Sequence, residues 1–476
     1  MFFLRKRTKA KIIPRSDHNL SRRNIDPEAL KVLYRLASLN YEAYLVGGSV
    51  RDLLLGRKPK DFDVGTDARP NEIRHNFKNC FLVGRRFRLA HIVFGKKVIE
   101  TATFRKAPNP NAVQDEHGLY QSEDNTFGTP QEDALRRDFT VNGLFYDIKT
   151  FSIIDYVGGL KDLQDKCIRS IGDPCIRFRE DPVRMMRAVR FAAKLGFEIC
   201  PNDIKAMKKF AHELANASVS RICEEIQRLF VRGATERSIR LAFEYGLLDN
   251  LLPSLAQWMH ESPDNAKRVW ESLHALDLFA QNHEPSNAVA FAMLFHPMVT
   301  EAVEQMRAKT TTRRFNESHS RRLAAEKIFN PIVKYYRFPR ALWMTAVDIL
   351  ELSDRLTRSP NAASSRDIRF INHGLFPEIL QGAGVFAILY PTLTWQIETW
   401  QALYRKVGPA ARCANPETFT PPANPHTRKA RRRHPRNKRK FRLGNTSEVN
   451  DTPSTSNTKP SRKGKEASAT VNATNA

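Results

Sequence analysis

Residues 42–66, "EAYLVGGSVRDLLLGRKPKDFDVGT", compress a strand, a glycine turn, a helix and a second strand into one short stretch. "EAYLV" has strand character, "GGSVRDLLLG" reads as a turn and then a helix stopped by Gly56, and "DFDV" resumes strand. Elements this short, alternating this fast, require a sheet with helices packed on it, so the head of the chain is α/β. The neighbours agree. "DPEALKVLYRLASLN" predicts a helix over 26–40, with Asp26 as its N-cap and Pro27 in its first turn. "NEIRHNFK" predicts another helix, and "CFLVG", "LAHIVFG" and "KVIETATF" predict successive strands. Residues 1–25 read as basic and irregular, and 105–132 as a polar loop.

From about residue 133 the pattern turns helical and stays so to about 405. "EDPVRMMRAVRFAAKLG" (180–196) is strongly amphipathic, and "SRICEEIQRLFVRG" ends at Gly233. Beyond 412 the composition shifts to Pro, Asn, Ser and Thr, and "RKARRRHPRNKRKFR" (428–442) carries ten Lys/Arg and no acid. Such a block cannot bury itself and is expected to be disordered when free. The expected organisation is a basic segment (1–25), an α/β head (26–158), a helical neck (159–250), a helical body (251–412) and a disordered basic tail (413–476).

The net charge is +26, of which the tail holds +10, so the folded part is basic too. A polyanion partner follows, nucleic acid before an anionic membrane surface, since the tail has no apolar anchor beyond Phe441. The six cysteines are dispersed with no C-x-x-C pair, which suits unpaired thiols in a reducing cytoplasm and signals neither zinc nor redox chemistry. No apolar run approaches the ~20 residues needed to span a bilayer. The start, "MFFLRKRTKAK", lacks the apolar core of a signal peptide.

On a strand, Asp61 and Asp63 point the same way. Two carboxylates on one face suit a divalent cation; an ordinary polar strand end is the other reading. Their context decides between these. Gly47, Gly48 and Ser49 stand between a strand and a helix, where glycines admit a phosphate and a helix start offers free N–H groups. A phosphate cradle followed closely by a carboxylate pair is the two-metal arrangement for nucleotidyl transfer.

G-G-S-x-x-R-D-x-x-L-G followed by D-x-D resembles the head of the polymerase-beta-like nucleotidyltransferases. It resembles in particular the bacterial branch that holds CCA-adding tRNA nucleotidyltransferases and poly(A) polymerases. "RRDFTVNGLFYD" (136–147), "DYVGGLKDL" (155–163) and "EDPVRMMRAVRFAAKLGF" (180–197) are similar to that branch's further motifs, in order. The resemblance implies a polymerase-beta-like α/β head with an all-α neck and body. It implies that Asp61 and Asp63 bind the catalytic metals, expected to be Mg2+, and that Gly47, Gly48, Ser49 and Arg51 cradle the nucleotide. Arg137 would meet the triphosphate. Asp138 would meet the sugar and count as an active-site acid, with Asn142 four residues on along the same helical face. Asp181 and Arg184 would share a helix face and read the incoming base. Arg187 and Arg190 continue that stripe, as phosphate contacts or as a solvated basic face. Glu100, on a strand beside the aspartates, is either a third carboxylate or the partner of a nearby arginine.

The four motifs do not separate the two activities of the branch. "FLVGRRFRLAHIVFG" (81–95) resembles the L-V-G-[RK]-[RK]-F-x-L-x-H stretch of bacterial poly(A) polymerases, and adds Arg85, Arg86 and Arg88 beside the active strands. His91 is read as a packed strand residue without chemistry. The basic tail suits an enzyme that binds many RNA 3′ ends through their phosphates. "VNGLFY" departs from the branch's usual I-N-S-L-Y-Y-like run, with Gly143 expected to loosen a helix there. The resemblance implies template-independent transfer of AMP from ATP to RNA 3′ ends; a cytoplasmic location, with a monomer as the default and no DNA partner, is expected beside it. The alternatives are a CCA-adding enzyme, or a non-catalytic RNA-binding protein on a decayed transferase fold.

Overall fold

A computed structural model describes residues 10–84, 88–106, 127–310 and 315–409. Arg85, Arg86, Cys413 and the whole basic tail, on which several expectations rest, lie outside the described residues.

One mixed sheet of eight strands organises the first part of the chain. Its strands are β1 (Lys11–Ile13), β2 (Ala43–Val46), β3 (Asp63–Thr66), β4 (Cys80–Val83), β5 (Leu89–Phe94), β6 (Lys97–Thr103), β7 (Leu144–Asp147) and β8 (Ile153–Asp155), in the order β1-β8-β7-β2-β3-β6-β5-β4. Every pairing is antiparallel except β3 with β6, which run parallel with Val64 opposite Thr101. One face of the sheet is packed by α1 (Pro27–Ser38), whose Ala29, Val32, Leu33 and Leu36 are buried at helical spacing. Asp26 caps that helix by accepting from the Glu28 N–H at 2.8 Å. The other face keeps a smaller apolar cluster of Val46, Phe104, Phe145 and Ile154, and the rest of it is open.

Short helices fill the crossovers: α2 (Gly48–Leu54), α3 (Pro70–Asn76), α4 (Pro130–Arg136) and α5 (Gly159–Gln164). Then come α6 (Pro174–Glu180), α7 (Val183–Leu195), α8 (Pro201–Phe210) and α9 (Val219–Leu229), with helices continuing through Thr394–Val407. Alpha7 buries Met185, Met186, Val189 and Ala192, which fixes which way its arginines face. Arg57, just past α2, donates to the Lys194 and Leu195 carbonyls and so ties the head to the end of α7. Among the described residues, no helix is long and apolar enough to cross a membrane.

Five local expectations are corrected. The chain does not turn helical at 133, because β7 and β8 lie inside the main sheet. Asn142 therefore ends a short 3-10 turn (Thr140–Asn142) rather than sharing an α-helical face with Asp138, and Gly143 leads into a strand. Asp181 precedes α7 instead of lying on it, since Pro182 intervenes at the helix start. The irregular N-terminal segment contains β1, held by pairing to β8. Finally, Cys167 and Cys200 are joined as a disulfide where β9 (Cys167–Ile168) runs parallel to β10 (Glu198–Ile199), so these thiols are not unpaired.

Candidate active site

The open face of the sheet and the arginine face of α7 enclose a cleft of about 840 Å³. Its floor is the parallel pair. Asp63 opens β3 and Asp61 stands two residues before it; both line the cleft, while Val64 is buried in the core behind. Glu100 on β6 lines the same cleft, because the register that sets Val64 against Thr101 brings it level with Asp63. Glu100 has no arginine partner among the described residues; its ion-pair distance there is to the His91 imidazole, 3.9 Å away across the ladder. Burial pushes the Asp63 carboxyl up to about 6, and the negative charges of Glu100 and Asp61 push the same way, with Arg137 opposing. Three carboxylates thus converge where protons or cations are favoured.

The glycine turn sits at the end of β2. Gly47 has φ +73°, and a Cβ there would lie 2.8 Å from Arg137 Nη1, so only glycine lets that guanidinium close over the turn. Ser49 turns its hydroxyl back to the Val46 carbonyl at 2.9 Å. Arg51 is buried, held by Asp52 and by the Asn142 amide oxygen. The turn thus offers the cleft its backbone, while Ser49 and Arg51 act as struts.

Arg137 follows α4, where Asp133 four residues earlier accepts from it at 2.9 Å and also holds Arg136 at 2.6 Å. Its other arm donates to the Asn142 carbonyl at 3.2 Å. Asp138 accepts from the Phe139 N–H and the Asn142 amide on one oxygen and from Arg187 on the other, at 2.5 Å. Burial raises this carboxyl, and the Arg187 guanidinium more than offsets that, leaving it below the usual carboxylate range. Asp181 and Arg184 lie 3.9 Å apart, with Asp181 bonded more closely to Arg221 at 2.8 Å. Arg190 meets Glu225 at 3.3 Å instead of facing solvent.

Glu225 is a site residue that the motifs of the sequence do not name. It is buried on α9 and gathers Arg228 at 2.7 Å, Arg190 and Arg187. The signal was there: Ile222, Glu225, Ile226 and Leu229 share one face, and an acid on an apolar stripe needs a partner. The "DYVGGLKDL" stretch turns out to be scaffolding. The Asp155 carboxylate accepts four successive backbone N–H groups, from Val157 to Leu160, at 2.8–3.0 Å. Gly159 is obligatory because a Cβ there would sit 2.2 Å from the Thr140 carbonyl oxygen.

This constellation can be set beside known proteins. Residues 43–169 match the family described as Poly A polymerase head domain, and 196–259 the one described as Probable RNA and SrmB-binding site of polymerase A. Poly(A) polymerase I of Escherichia coli O6:H1 is 41% identical over 361 residues, covering 74% of this chain and 77% of the relative. The chain belongs to the poly(A) polymerase family. Its kinship with CCA-adding enzymes is more distant: that of Bacillus pumilus is 36% identical over 52% of this chain and 63% of its own length. The crystal structure of Bacillus stearothermophilus CCA-adding enzyme in complex with CTP superposes with a TM-score of 0.59 at 27% identity, over 80% of this chain and 83% of that one. As a poly(A) polymerase relative, the chain is a nucleotidyltransferase.

Proposed function

We propose that this chain extends RNA 3′ ends with AMP taken from ATP, without a template. The RNA 3′-hydroxyl oxygen attacks the α-phosphorus; that O–P bond forms, the bond to the β-phosphate bridge breaks, and pyrophosphate leaves. The observation that carries this reading is the convergence of Asp61, Asp63 and Glu100 opposite Arg137 and the Asp138–Arg187 pair in one cleft.

Carboxylate oxygens at a site that already favours added positive charge fit a hard divalent cation such as Mg2+, with Asp61 and Asp63 as holders and Glu100 beside them. When bound, such ions supply charge neutralisation at the phosphates and a lowered pKa for the attacking hydroxyl. The chain's own residues position the reactants. Arg137, anchored on Asp133, reaches over the glycine turn toward the triphosphate, and the Gly47–Gly48 backbone allows close approach. Asp138, kept ionised by Arg187, accepts from a ribose hydroxyl, which favours ribonucleotides. Asp181 and Arg184 supply an acceptor and a donor for a base edge.

The reading extends to a head over 26–158, a neck over 159–250 and a body over 251–412. It extends also to sequence-independent RNA binding by the basic tail, and to a cytoplasmic monomer, since one chain supplies the whole cleft. Light scattering tests the last point. The decisive assay is primer extension on a generic RNA with each NTP in turn. Long tails with ATP alone are expected; short additions of CTP and ATP confined to truncated tRNA would move the chain to the CCA-adding activity. Asp61→Ala and Asp63→Ala are expected to abolish transfer and spare RNA binding, and near-normal turnover in either would refute their assignment.

A further inference from the structure

A sheet face that meets water is ordinarily polar, with apolar side chains turned to the other side. Strands β4, β5 and β6 break that pattern. Their Ala90, Ile92 and Ile99 belong to the core that α1 covers. Alternation then sets Phe81, Val83, Leu89, Val93 and Val98 on the open face, together with His91 and Glu100. Phe81 is 63% exposed, Val83 46% and Val98 44%, where polar residues would be expected. An apolar patch left open in this way marks a surface that binds something.

The strand register joins this patch to the cleft. Asp63 is level with Glu100, Glu100 pairs with His91, and His91 pairs with Phe81, so one row crosses β3, β6, β5 and β4 on a single face. The next row runs through Gly65, Ala102, Leu89 and Val83, and the cleft already extends along it to Leu89. Phe81 is three strand spacings from Asp63, about 14 Å. The side matters as well. Gly47 follows β2, and Arg137 and Asp138 precede β7; both strands lie on one side of β3, with β6, β5 and β4 on the other. In-line displacement sets the attacking oxygen and the leaving group on opposite sides of the phosphorus. With the triphosphate under Arg137, the attacking hydroxyl approaches from over β6.

We infer that the open face of β4, β5 and β6 is a base platform for the single-stranded 3′ end of the RNA primer. Phe81 stacks a base upstream of the reacting nucleotide, and Val83 and Leu89 floor the path from the cleft to it. Stacking on an aromatic ring is indifferent to which base it meets, which suits an enzyme that must hold any 3′ end. The inference rests on the RNA-extending reading above.

The test pairs Phe81→Ala in the full chain with oligoadenylate primers carrying one abasic unit, walked back from the 3′ end position by position. Phe81→Trp keeps a ring, and Phe81→Leu keeps bulk without one. Thermal unfolding should leave all three near the parent protein, because the side chain is largely exposed. Phe81→Ala is expected to raise primer KM about 10-fold while ATP KM holds. Phe81→Trp should restore the primer KM and Phe81→Leu should not. In the parent, an abasic unit at a fixed distance from the 3′ end should cost about as much as the substitution. In Phe81→Ala the same unit should cost nothing further. An unchanged primer KM would overturn the inference, as would a rise confined to ATP KM. So would abasic and substitution losses that simply add, or full retention by Phe81→Leu. Light scattering tests the other occupant that an open edge strand invites: a parent that dimerises and a Phe81→Ala that does not would give this face to a second copy. If the parent protein extends no RNA with any NTP, the functional reading fails. Equilibrium binding of the same primers to the same variants still decides on the platform.

Discussion

Arg187→Met tests the electrostatic frame of the cleft. The substitution keeps the aliphatic stem that packs along α7 and removes the guanidinium that holds Asp138. Breaking one side of a buried ion pair costs about 3–5 kcal/mol, because the remaining charge is left without its partner. Here the Arg187 side chain is 30% exposed and that of Asp138 is 11%. Asp138 also keeps its bonds from Phe139 and Asn142, so the loss should be smaller, about 2–3 kcal/mol. Calorimetry should read this as a Tm drop on the order of 5 °C. Asp138→Asn combined with Arg187→Met should be less harmful than the two single losses added, with a coupling of about 2 kcal/mol.

The pH dependence gives a second reading of the same pair. Asp138 has a lowered folded pKa, so its contribution is present above the unfolded value of 3.8 and fades as pH falls through the folded one. In Arg187→Met the carboxyl loses the partner that lowers it, so the gap to the parent protein should narrow as pH falls. Additive single effects with a pH-independent gap would refute the argument.

Other consequences can be checked independently. His296 is buried against Tyr390, and burial pushes it down to about 3 from 6.5, with Arg321 and Arg268 adding to the effect. The unfolded chain therefore takes up a proton first, and stability should fall by about 2 kcal/mol between pH 6.5 and about pH 5; His296→Gln should flatten that slope in urea titrations. Gly159→Ala forces a Cβ onto the Thr140 carbonyl and should cost more than about 2 kcal/mol, seen as lost soluble expression or a lowered Tm. Gly47→Ala combines an unfavourable φ with a clash against Arg137, and should lower kcat/KM for ATP more than it lowers Tm.

The strands from β2 to β6 are legible because short apolar, β-branched and aromatic runs there are punctuated at their ends by glycines or charges. Asp61 and Asp63 stand out in the sequence because a glycine turn at a helix start precedes the same-face pair closely. Beta7 is not, since Leu144, Phe145 and Tyr146 are all buried, and without alternation a short apolar run looks the same in strand and helix. Periodicity carries Asp181 onto α7, but Pro182 starts the helix one residue later. The Cys167–Cys200 link depends on two strands of two residues each, paired across a long separation, which no local pattern announces. Glu225 is a matter of partners: its role follows from arginines on a different helix.

The parallel register of β3 and β6, and the reach of α7 back to Asp138, have a consequence for synthesis. Asp61 and Asp63 are made early, yet Glu100 comes level with them only after the chain has crossed over through α3, β4 and β5. Arg187 and Glu225 come later still. A nascent chain that has emerged only through Asp138 has no cation facing that carboxylate and no roof on its cleft. The cleft and its ion pairs are complete only once α7 and α9 have left the exit tunnel.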